Sequence, residues 1–124
     1  MGIDEWFKQS DYDFETAEFM NKGGRQVYAV FMCHLSIEKA LKGFYHKKSS
    51  QIPPRIHSLI ALTKKIEIDV PENIGKFLVR LDQASLVTRY PEDLSKIQND
   101  YSLEIVNEII QMTKETLTWV KRMS

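Results

Sequence analysis

His34 and Glu38 stand one helical turn apart in a run whose apolar positions are interleaved with polar ones, His34-Leu35-Ser36-Ile37-Glu38-Lys39-Ala40-Leu41-Lys42-Gly43-Phe44-Tyr45. Polar side chains beside a helix seam cost free energy unless they are partnered. At i,i+4 spacing the two meet on one face, so they read as a buried hydrogen-bonded pair or as part of a site. As a site they could supply two metal ligands, with His46 and His57 left to complete the set. The Glu-x-x-His motif that builds di-metal centres in four-helix bundles is absent from this chain. The expectation is therefore a structural polar pair, His34 with Glu38, and no metal. Cys33 directly precedes His34, so on a helix their side chains diverge by about 100° and cannot form a nucleophile–base pair. Lys22-Gly23-Gly24-Arg25 is too short for a phosphate loop. No catalytic residue and no cofactor are expected.

A second group lies further on. Asp82, Ser85 and Arg89 recur at steps of three and four, and Tyr90-Pro91 follows. An arginine at a helix C-terminus complements the helix dipole. It can also line a groove at the end of a bundle, where its planar fork grips a phosphate or carboxylate while Tyr90 stacks on a base. Lys42 could add positive charge, and His57, which opens a helix after a proline pair, could touch the neighbouring turn. The expected ligand-binding set is Arg89, Tyr90, Asp82, Lys42 and His57.

Helices must position these groups. Asp4 to Lys22 reads as a first helix, with Trp6, Tyr12 or Asp13, Ala17 and Met20 inward and Gly23-Gly24 as its stop. The second runs from Arg25 to about Lys48 and carries two stripes. Val27, Val30, His34, Ile37, Leu41 and Phe44 form a core face at helical period. Ala29, Cys33, Ser36, Ala40 and Gly43 form a strip of small residues that lets another helix come close. Ser49 to Pro54 is a loop. A short helix follows from His57 to Ile66, and a longer one from about Pro71 to Thr88 with Ile74, Phe77, Leu78, Leu81 and Ser85 inward. Pro91 ends it. Glu92 to Asp100 reads as polar connection. A last helix, capped by Asn99, Asp100 or Ser102, runs to about Arg122 on Leu103, Val106, Ile110, Thr113, Leu117 and Val120. No period-2 strand and no internal repeat is visible. The expected fold is all-α: an antiparallel up-and-down bundle of four long helices plus one short helix, in one domain over residues 1–124.

Composition narrows the partners. The 124 residues include 17 Lys+Arg and 17 Asp+Glu, and this balance argues against non-specific binding to DNA or to an anionic membrane. Every apolar stretch is broken by charge before the roughly 18 residues a membrane span needs. Met1 to Trp6 lacks the basic-then-apolar pattern of a secretory signal, and the lone Cys33 suits a reducing compartment. The expected location is the cytoplasm.

Three elements together resemble HEPN domains (higher eukaryotes and prokaryotes nucleotide-binding). Glu38-Lys39-Ala40-Leu41-Lys42 is similar to that family's signature, and Pro54-Arg55-Ile56-His57-Ser58-Leu59 to its His-Ser-Leu helix start. Leu81-Asp82 with Thr88-Arg89-Tyr90-Pro91-Glu92-Asp93 resembles its Leu-Asp … Arg-Tyr-Pro element. They occur in the family's order and span essentially the whole chain, and the early Trp6 also fits. The resemblance implies an antiparallel helical bundle, commonly a homodimer. It implies a prokaryotic protein that binds a nucleotide or a nucleotidyltransferase substrate and acts beside a minimal nucleotidyltransferase, in a toxin–antitoxin-like pair. Another branch of the family comprises metal-independent ribonuclease toxins, marked by an arginine followed after four to six residues by a histidine. Here Arg89 is followed by Tyr90-Pro91-Glu92-Asp93-Leu94-Ser95-Lys96, with no histidine. The usual general acid–base is missing, and a ribonuclease reading would need an unusual one, such as His34 or His57. Ser85 is a further departure, since many members carry an aromatic residue there.

Overall fold

Helices are the only regular elements of the chain. The computed structural model describes residues 1–124 and contains six: α1 (Ile3–Lys22), α2 (Gln26–Ser49), α3 (Leu59–Ile66), α4 (Glu72–Arg89), α5 (Leu94–Asp100) and α6 (Leu103–Met123). Local chemistry sets most of the boundaries. Past the end of α1, Gly24 takes a φ of +79°, a left-handed conformation that costs glycine nothing. Side-chain caps open three helices: Ser58 accepts from the Ala61 N–H, Asp93 from that of Lys96 and Ser102 from that of Ile105. No helix is long and apolar enough to cross a membrane.

The bundle of four long helices and short α3 matches the sequence reading. Short α5 does not, because its segment reads as polar connection. Only Ile97 of α5 is buried, so the segment carries no apolar period, and its helix rests on the Asp93 cap. The inward face of α1 resolves to one of its two alternatives, and that of α6 differs in detail. In α1 Asp13 faces in, tied to Lys39 Nζ at 2.8 Å, while Tyr12 is exposed. In α6 Leu103 is exposed, and Ile109 and Thr116 join the buried face.

Both stripes of α2 are buried along their whole length. This helix packs against every other helix, and its side chains run through the apolar cluster that forms the core. The small-residue strip is covered by α1 of the same chain. Ser10 Oγ donates to the Ser36 carbonyl at 2.7 Å, and Ser36 Oγ donates to the Ser10 carbonyl at 2.7 Å. Such reciprocal bonds require closely approaching backbones, which the small residues permit. At Gly43 a Cβ would stand 3.0 Å from Trp6 Cβ and from a ring carbon of Phe7.

Gly43→Leu should therefore destabilise the fold although leucine is the better helix former. Overpacking against Trp6 and Phe7 should cost about 1–3 kcal/mol, read as a lower thermal midpoint by circular dichroism. An unchanged or raised midpoint would show that α1 does not pack this closely.

Candidate functional site

Asp82, on α4, reaches across to the start of α3. Its Oδ1 accepts the Leu59 N–H at 2.9 Å, and its Oδ2 accepts the Ser58 hydroxyl at 3.1 Å and the Ile60 N–H at 3.3 Å. A carboxylate from another helix thus complements the positive end of α3. His34 Nε2 lies 2.9 Å from the same Oδ1. Burial works to raise the Asp82 carboxyl, but the hydrogen bonds from His34, Leu59, Ile60 and Ser58 outweigh it and hold the group below its ordinary value. Ionised Asp82 can only accept, so His34 donates through Nε2.

The other ring nitrogen faces Glu38, the expected partner, at the outer edge of an ion-pair contact. His34 Nδ1 and Glu38 Oε1 stand 4.0 Å apart, too far for a hydrogen bond. Glu38 instead accepts from Lys42 Nζ at 2.9 Å and lies 3.1 and 3.3 Å from His57 Nδ1. The shorter contacts of both residues lie elsewhere, those of His34 with Asp82 of α4 and those of Glu38 with Lys42 and His57. His34, Glu38 and Lys42 are all buried, while the His57 side chain is 69% exposed. No three His, Cys, Asp or Glu side chains converge to hold a metal ion. Burial pushes the Cys33 thiol up to about 12, which leaves it inert at neutral pH.

The expected ligand set is thereby divided in two. Asp82, Lys42 and His57 join His34 and Glu38 in this interhelix network. Arg89 and Tyr90 lie elsewhere; along α4, Arg89 is seven residues from Asp82, roughly 10 Å. A groove of about 630 Å³ opens at that end, lined by Gly24 and Arg25 before α2, by Gln26 and Tyr28 in its first turn, by Arg89, and by Tyr101 beyond α5. The Arg89 guanidinium sits 4.8 Å above the centre of the Phe31 ring, a cation–π contact that fixes its direction. Tyr90, 81% exposed, points to a different depression beside Leu86 and Val87. The aromatic side chains in the groove are Tyr28 and Tyr101. Burial raises the Tyr101 phenol, so at neutral pH it is an uncharged hydroxyl.

Arg25, Gln26, Tyr28 and Tyr101 escaped the sequence reading as groove residues. Arg25 alone left a signal there, as a cation between a helix stop and a helix start that offers no acidic or hydroxyl cap. Tyr28 and Tyr101 left none, because they are distant in sequence and meet only when α5 folds against α2.

A family model described as HEPN domain matches residues 3–123. Two solved structures are similar over nearly their full lengths. One is TT1696 from Thermus thermophilus, at 22% identity and a TM-score of 0.85, covering 97% of this chain and 96% of that one. The other is ST0689, an archaeal HEPN homologue, at 27% identity and a TM-score of 0.80, covering 99% and 98%. No curated protein matches the chain.

The Asp82 network has a thermodynamic signature. Asp82→Ala leaves the α3 donors and His34 without their acceptor and should cost about 1–3 kcal/mol at pH 7. Because the folded carboxyl titrates below its unfolded value of about 3.9, its contribution is complete above that pH and is lost as pH falls through the folded value. The difference in thermal midpoint between wild type and Asp82→Ala should therefore be full at about pH 6–7 and narrow below about pH 4. A difference independent of pH would show that the carboxylate charge is not what holds α3.

Proposed function

Because the chain belongs to the HEPN domain family, shown by a family model that spans residues 3–123, we propose that it is a non-catalytic HEPN subunit that binds a nucleotide in the Arg89 groove. It acts with a minimal nucleotidyltransferase of a prokaryotic cytoplasm, in a toxin–antitoxin-like pair. The observation that carries the binding role is the groove itself. It offers two arginines, one of them stacked on a ring, two tyrosines and space for a small organic anion. Arginine forks suit phosphate oxygens and tyrosine rings suit a base.

The homodimer belongs to the same proposal, and its surface is the exposed apolar face of α4. The small strip of α2 is spent on α1, whereas α4 and the residue after it present Val79, Leu86, Val87 and Tyr90 to solvent. That face supports the dimer reading.

The ribonuclease alternative has less to work with. His34 is buried, and its Nε2 is committed to Asp82. His57 is exposed but belongs to the Glu38 network, not to the groove that holds Arg89. No histidine lines that groove.

Calorimetry on the purified chain should show saturable binding of ATP at micromolar to millimolar concentration. Arg89→Ala should weaken it by about tenfold to a hundredfold, the range for losing charge-assisted hydrogen bonds. Light scattering on the same sample should give twice the chain mass, and co-expression with the neighbouring nucleotidyltransferase should yield a stable complex. No nucleotide binding at millimolar concentration, together with no complex, would overturn the reading.

A further inference from the structure

We propose that the α2 end of this groove is a metal-free phosphate subsite, which takes the phosphate of a nucleoside mono- or diphosphate as the free anion, without magnesium. The occupant rests on the nucleotide reading above; the anion preference rests on the groove's own charges.

Arg25 and Arg89 both line the groove, and neither forms an ion pair with any carboxylate of the chain. No Asp or Glu lines it. The four other sizeable depressions differ in this respect: each has at least one carboxylate in its wall, such as Glu18, Glu5, Glu115 and Asp93. In a chain with net charge zero, the residues lining this groove carry two positive charges and no negative one. Phe31 holds one of them in place.

The backbone adds donors of the same sign. α2 begins in the groove wall with no side-chain cap and no acidic residue in its first turn. The loop and cap hydrogen bonds use none of the N–H groups of Gln26, Val27 and Tyr28. Such N–H groups, at the positive end of a 24-residue helix, attract an anion. Together with the two guanidinium groups they line one groove with donors suited to phosphate oxygens.

The same wall argues against a bridging metal. Magnesium is held in nucleotide sites by carboxylates together with phosphate oxygens. With no carboxylate here, magnesium could bind only to the nucleotide, and it would neutralise the charge that the arginines recognise. Magnesium should compete with the protein for the phosphates. The ligand class is therefore a free nucleotide anion, and not the magnesium complex that a nucleotidyltransferase consumes.

The test is calorimetric titration of the full chain with AMP, ADP, adenosine and pyrophosphate, in EDTA and then, for ADP, in excess magnesium. AMP should bind at least tenfold tighter than adenosine. Magnesium should weaken ADP binding. Arg25→Gln should reduce AMP affinity at least tenfold, leave adenosine unchanged and keep the wild-type thermal midpoint, and Arg25→Lys should restore part of the loss. Equal affinity for AMP and adenosine, or tighter ADP binding with magnesium, would overturn the subsite while leaving a nucleotide groove standing. Pyrophosphate binding without AMP binding would support the subsite and overturn the nucleotide reading. Binding of none of the four would overturn both.

Discussion

Two faces of α2 are enclosed along their length, and the rest of the molecule answers to that constraint. A helix inside a bundle loses free energy for each polar group left unpaired, and apart from His46 Nδ1 the buried side-chain polar atoms of α2 have partners. Ser36 therefore exchanges hydrogen bonds with Ser10, His34 meets Asp82, and Glu38 gathers Lys42 and His57. The bonds that leave α2 each fix a neighbour. The serine exchange sets the separation of α1, and Asp82 locks α4 to the start of α3. What looks in sequence like a site in the middle of α2 is thus the framework that holds four helices in register.

This division of labour leaves the first turn of α2 open. The middle of the helix uses its polar groups on the protein; the first turn, beside Arg25 and in the same groove as Arg89, has donors and positive charge to spare. The functional reading accordingly moves away from the histidines. Chemistry by His34 would require breaking its bond to Asp82, the residue that holds α3, whereas binding at the groove disturbs nothing in the framework.

The legible part of the fold was the part written in periodicity. The two stripes of α2 and the inner face of α4 are read directly from spacing, because burial on one face imposes a period. Helix α5 was not legible, since a seven-residue helix burying one side chain has no period to show. At the site, spacing on one helix predicted that His34 pairs with Glu38, because the i,i+4 rule knows only its own helix. The nearer carboxylate came from 48 positions away. Lys42 looked like free charge, although its partner Glu38 lies one turn back on the same helix. Arg89 was legible as a residue of the bundle end; its companions in the groove were not, as they come from a helix start and a connection that only the fold brings together.

The central claim is that α2 is structural in its middle and receptive at its N-terminus. Amide chemical-shift mapping of the labelled chain, titrated with a nucleoside monophosphate, tests it directly. The predicted result is that the largest shifts fall on the N–H groups of Gln26, Val27 and Tyr28 and around Arg89, with His34, Glu38, His57 and α3 unmoved. Shifts centred on His34, His57 and Asp82, with the start of α2 silent, would contradict it.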